Sequence, residues 1–380
     1  MPSLFFPMRW CFILLFLLLT FQSHAQVWNL TKRVFNSVFN DTVSSERPKF
    51  VAYPTLAYSP ETRWEFGVSA LYVYYAKQDT SNRLSEINAF TFLTLESQYG
   101  LWIDHALYSD RSDWFFLGRL RFQQFPLLYY GIGSDTPEEE IAQVDASSIA
   151  IRERVLRNVT GSLYLGLELD YQQLTGVSFN SLSSEPFDLP LGSNGSRNFG
   201  LGLGVVYDNR HNVLNVREGF FGETGFLHYD DAWGSDFSFT QFFLDARYFH
   251  PVTRNQVLAG QLVANNVWGD VPFNQLSLMG GESMMRGYYL GRYRDKTLLA
   301  TQIEYRFLPF PFSKRWGAAA FVSTGGVSSS PRETKLSEWV VAGGAGVRFM
   351  IFPSKDVFTR LDVAFTEEGP GIYFFIGESF

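Results

Sequence analysis

Apolar and polar residues alternate along most of this chain with a period of two. The segment Thr297 to Phe307 shows it clearly: Leu299, Ile303, Tyr305 and Phe307 fall on one face of an extended strand, Gln302, Glu304 and Arg306 on the other. Phe243 to Tyr248 divides the same way, with Asp245 and Arg247 on one face and Leu244, Ala246 and Tyr248 on the opposite one. In Gly200 to Val205, leucine and valine form one row and glycine the other. Read along the whole chain, this period predicts about sixteen strands of roughly 9–13 residues. They fall at 50–58, 64–76, 86–96, 99–108, 113–125, 148–158, 162–174, 197–208, 220–229, 236–250, 256–268, 297–307, 316–326, 338–351, 356–365 and 371–380. No helix-length segment separates them, which argues against a parallel sheet of the α/β kind.

A soluble sandwich buries its apolar rows and leaves its charges in water. A large membrane barrel reverses this, with apolar residues against lipid and charges in the lumen. Aromatic residues make up 17% of the chain and charged residues 18%, a balance that favours the barrel. Mean hydropathy is near zero because the two kinds of row cancel. The expected fold is therefore all-β, a 16-stranded antiparallel transmembrane β-barrel over residues 50–380. With a periplasmic N-terminus, the long connections 126–147, 176–196, 269–296 and 327–337 all face outward, where barrels keep long loops. The turns 77–85 and 209–219 are longer than that rule expects. The acidic run Glu138-Glu139-Glu140 reads as part of a solvated outward loop.

The first residues place the chain in the export pathway. Arg9 is the only charge before the apolar run Trp10 to Phe21, and Ser23-His24-Ala25 follows, so residues 1–25 read as a signal peptide. The run is shorter than the ~20 residues that a membrane-spanning helix needs. The only cysteine, Cys11, lies inside it, so the expected mature chain has no thiol for disulfides, metal sites or nucleophilic catalysis. Residues 26–49 form a short N-terminal periplasmic segment. There Val27, Leu30, Val34, Phe35, Val38 and Phe39 recur at the spacing of an amphipathic helix. A net charge of −7 argues against nucleic acid as a partner. His105, His211, His228 and His250 are isolated, and no Gly-x-Ser-x-Gly elbow occurs, so no catalytic residue, metal or cofactor is expected.

The closing seam of such a barrel carries two weak points. Pro54 removes a ladder donor from the first strand, and Gly377 stands near the end of the last. The chain ends on Phe380, as barrels handed to the assembly machinery do. Ile372, Phe374 and Ile376 share its row, which Glu378 interrupts.

Three further features occur in order: Gly280-Gly281-Glu282 leading to Arg286-Gly287-Tyr288, then Glu304 on the next strand, then Ala319-Ala320-Phe321-Val322-Ser323-Thr324-Gly325. Together they resemble the barrel of the BamA/TamA outer-membrane protein superfamily, the bacterial surface antigen type. The stretch from Pro54 to Pro60 and Tyr207-Asp208-Asn209-Arg210 are similar to it as well. The resemblance implies an inward-folded loop between strands 11 and 12, with Arg286 near Glu304, Gly287 allowing a tight turn and Tyr288 packed on the wall. Ser323 stands where the family has an aspartate, implying one carboxylate for Arg286 instead of two. Gly377 is similar to the family's kink glycine. About two dozen residues before the barrel are too few for a POTRA domain, so the chain resembles a POTRA-less member. The resemblance implies a non-enzymatic barrel of the bacterial outer membrane that assists insertion or translocation of protein or lipid. Its partners would be outer-membrane lipids, a client protein or lipid, and a separate periplasmic protein. A passive pore is the alternative reading.

Overall fold

The computed structural model describes residues 48–210, 215–352 and 356–380. The expected signal peptide and amphipathic helix lie outside the described residues. Sixteen long strands follow one another, each antiparallel to the next: β1 (Lys49–Ser59), β2 (Arg63–Tyr75), β3 (Leu84–Thr94), β4 (Tyr99–Tyr108), β5 (Trp114–Gln124), β6 (Ala142–Thr160), β7 (Leu163–Ser181) and β8 (Ser196–Asp208). The second half comprises β9 (Gly219–Tyr229), β10 (Phe239–Thr253), β11 (Gln256–Gly269), β12 (Thr297–Phe307), β13 (Trp316–Ser328), β14 (Val340–Phe352), β15 (Val357–Thr366) and β16 (Gly369–Ile376). β1 meets β16, so the sheet closes into a barrel. Closure gives nearly every strand a partner on both sides, which a bilayer demands because it offers no water to unpaired backbone groups.

The two faces of the wall differ as the alternation predicts. On neighbouring strands Ile303, Val322, Val347, Leu361 and Ile372 are exposed on the outside, while Glu304, Arg306, Arg348 and Asp362 are buried on the inside. Residues directly opposite across a ladder share a face, so this division runs round the barrel.

Two elements depart from the sequence expectation. β6 and β7 have 19 residues each and pair from Ala142↔Ser181 to Thr160↔Leu163, beyond the expected 148–158 and 162–174. A register shift between Asp145 and Ser147 breaks the two-residue period there and made the extension look like loop. The extension is stabilised by a short strand, Leu127–Tyr129, and by Tyr129, Ala142, Val144, Leu174 and Phe273 packed together. At the other end, β16 stops at Ile376 rather than running to Phe380. Gly377, at φ 95°, leaves the ladder and donates its N–H to the Phe358 carbonyl at 2.7 Å.

Between β11 and β12 the chain forms a small hairpin, Ser277–Met279 with Tyr293–Asp295. Met279, Met284, Met285, Tyr288 and Tyr293 are buried against Leu298, Ala300, Val327 and Ala342 of the inner wall.

Candidate functional site

Local backbone chemistry delivers Arg286 to the wall. Gly287 has φ 112°, a region open to glycine and costly for other residues. A Cβ there would stand 2.5 Å from Thr366 Cγ2, and the Gly287 N–H donates to the Tyr373 hydroxyl at 2.8 Å. This close approach leaves Arg286 fully buried. Its Nη1 donates to Asp362 Oδ2 at 2.6 Å and its Nη2 to Glu304 Oε2. The guanidinium lies 3.4 Å over the ring of Phe321. Tyr288 is buried beside Tyr293, with its hydroxyl 3.5 Å from the Val341 carbonyl.

The expectation of a single carboxylate for Arg286 is corrected. Ser323 is buried on the same wall and donates to the Ala342 carbonyl at 3.4 Å. The second carboxylate comes instead from Asp362, on β15. The sequence reading missed it because the place of the family aspartate is on β13, and only the barrel's register brings β15 to the same centre. Further charges complete the group. Glu304 accepts from Arg306 Nε at 2.7 Å, and Asp362 accepts from Arg348 at 2.5 Å and from Arg360 at 3.1 Å. Buried charges are tolerated only when paired and hydrogen-bonded, and each of these guanidinium groups has a carboxylate. The signal was the one that exposed Glu304: Arg360 and Asp362 stand two apart, on the same face of their strand.

The tail enters the same network. Beyond Gly377, Glu378 accepts from Arg348 Nε at 2.9 Å, and the Ser379 hydroxyl donates to Glu304 Oε2 at 3.3 Å. The Phe380 carbonyl accepts from Arg306 Nη2 at 3.1 Å, and its ring lies near that guanidinium and Phe249. Phe380 therefore does not share a strand row with Ile372, Phe374 and Ile376, because the turn at Gly377 ends the row. Loop and tail meet at Glu304.

The seam is thinly zipped. β1 and β16 register at one position, Tyr58↔Phe374, whereas β1–β2 register at eleven and β15–β16 at eight. Continuing that register would set Pro54 opposite Glu378, but Glu378 has turned inside. Among the described residues, Tyr58↔Phe374 is the one position at which β16 registers with β1.

A second charged centre, absent from the sequence reading, lines the inner wall of β6–β9. Arg152 and Arg154 pair with Glu168, Arg154 also with Glu223, and Tyr229 donates to Asp170 at 2.6 Å. Among the described residues no group of three or more His, Cys, Asp or Glu side chains is placed to hold a metal ion.

Comparison with known proteins fits this architecture. The Omp85 superfamily domain matches residues 101–380. BamA from Haemophilus ducreyi lacking POTRA domains 1–3 superposes with a TM-score of 0.55 at 13% identity, over 87% of this chain and 70% of that one. CdiB from Acinetobacter baumannii gives 0.55 at 11% identity, and CdiB from Escherichia coli 0.57 at 10%. The superpositions cover 87% and 86% of this chain and 59% and 62% of the CdiB chains. At these identities the likeness is one of fold. No curated protein matches the chain in sequence. The domain match spans most of the chain, and the chain belongs to the Omp85 superfamily, as a closed sixteen-stranded β-barrel of the bacterial outer membrane.

Proposed function

We propose that this barrel is a non-enzymatic machine that assists insertion or translocation of protein or lipid, with the β1–β16 seam as its working part. The observation that carries the reading is the single registered pair at that seam beside eight to eleven at its neighbours. A strand edge released from a weakly registered seam is a template for another strand, and strand addition gives affinity through main-chain hydrogen bonds. An incoming strand would pair with β1 once the one registered pair of the seam, Tyr58↔Phe374, gives way.

The loop bearing Arg286 acts in this reading as an inward-folded latch, with Arg286, Gly287 and Tyr288 anchored through Glu304 on a wall that includes Ser323. Pro54 and Gly377 keep the seam weak. Phe380 retains its role as an assembly signal before folding, when the tail has not yet entered the barrel. Outer-membrane lipids and a client protein or lipid are the partners, and a separate periplasmic protein delivers the client. The packing of Met284, Met285 and Tyr288 against the wall supports this over a passive pore, since sixteen strands enclose a water-filled lumen unless something occupies it.

A photo-reactive residue in place of Ala52, on β1 at the weakly registered seam, tests the proposal against one in place of Leu361 on β15, which is registered on both sides. In living cells, adducts with newly made outer-membrane protein are expected at Ala52 and not at Leu361. Adducts at neither site, or equally at both, contradict it.

A further inference from the structure

We propose that the lipid-facing side of β4–β6 is a docking patch for a second copy of this chain, centred on His105, Gly118 and Glu153. These three are direct partners across three strands, His105↔Gly118 and Gly118↔Glu153. Their neighbours on the same face are Ile103, Leu107, Phe116, Leu120, Ile151 and Val155, all apolar. The opposite, inner face of these strands carries the charged residues Asp104 and Arg121, paired at 2.7 Å, with Arg152 and Arg154. The histidine and the glutamate therefore sit among the residues that touch hydrocarbon.

Their depth follows from the strand. Gly118 lies four residues from Trp114 and four from Phe122 on β5. At ~3.3 Å per residue and a tilt of ~40°, it is about 10 Å in depth from each of these aromatics, near the middle of an apolar band of roughly 25 Å. Ionisable side chains at such depth are expensive and mark functional sites. His105 Nε2 stands 3.2 Å from both carboxylate oxygens of Glu153. The two side chains fold together over Gly118, where any Cβ would collide with both.

The pair satisfies itself only in part. Its side chains remain 23% and 31% exposed, and among the described residues no group bonds to the second ring nitrogen of His105. A second copy supplies what is missing. Two barrels in one membrane share an orientation, so a two-fold axis relating them lies along the membrane normal. With the axis beside Gly118, His105 faces the partner's Glu153 and Glu153 faces the partner's His105, the reciprocal contact of an isologous interface. Gly118 lets the two walls approach closely. The patch lies a quarter of the way round the barrel from β1, so such a dimer leaves the seam free.

Single cysteines test this on the intact protein in its own outer membrane, because the expected mature chain has none. A short thiol-to-thiol cross-linker should give a covalent dimer for Leu120→Cys, two residues from Gly118, and about tenfold less for Val322→Cys on the far wall. Adding Glu153→Leu should lower the Leu120→Cys dimer about tenfold, with heat-modifiable migration checking that the barrel still folds. Exchanging the two groups, His105→Glu with Glu153→His, should retain the dimer, because the reciprocal contact survives the swap. A monomer only, equal yield at Val322→Cys, indifference to Glu153→Leu, loss of the dimer in the swapped variant, or a product of some other mass (another protein or a lipid) overturns the proposal.

Discussion

Arg286 is buried with two carboxylates, so its charge depends wholly on the groups around it. Removing one partner from a buried ion pair costs about 3–5 kcal/mol. Glu304→Gln and Asp362→Asn are each expected to lower the barrel's stability in detergent by an amount approaching that range. Ser323→Ala should cost less than about 1 kcal/mol, because it removes one neutral hydrogen bond. Urea titration followed by tryptophan fluorescence separates these outcomes. Glu61 adds a pH dependence at the turn between β1 and β2. It accepts the Leu290 N–H at 2.9 Å, and burial holds its carboxyl above the usual carboxylate range. A raised folded-state value means that the protonated form is favoured on folding. The contribution is therefore full below the ordinary carboxylate range and lost as pH rises through the raised value. Protease sensitivity of the loop around Leu290 should increase from mildly acidic to neutral pH, and Glu61→Gln should flatten the profile. Arg286, Gly287 and Glu304 were legible because a motif and a two-residue period name them. Asp362 was not, since no local pattern tells which of sixteen strands contributes to one point inside a barrel.

Strands were the most legible elements, because each carries its own alternation and needs no knowledge of its neighbours. Errors arose where the period breaks. The β6–β7 extension lies behind a register shift at Asp145, and the end of β16 behind Gly377. The second error matters more. A tail read as strand would have extended the register with β1, whereas the tail turns inside and ties the end of β16 to Glu304. Gly377→Val disfavours the φ of 95° at that turn. Glu378 and Ser379 should then leave the interior, and a cysteine at Ser379 should react faster with a thiol reagent than in the Gly377 background. Unchanged reactivity would mean that the turn does not depend on glycine.

At the scale of the whole molecule, the barrel combines a loop packed on part of its inner wall with a thinly registered closure. In planar bilayers the natural chain should conduct little, and Arg286→Ala should raise or destabilise the current by freeing the loop. Indistinguishable traces would remove the latch from the account. The central claim, that the seam opens to admit a strand, is tested most directly by locking it. Tyr58→Cys with Phe374→Cys joins the one registered pair of the seam in a chain that otherwise lacks thiols once Cys11 is removed. In cells that rely on this protein, the oxidised variant should stop delivery of new protein or lipid to the outer membrane, and reductant should restore it. Full delivery by a completely cross-linked barrel would contradict lateral opening.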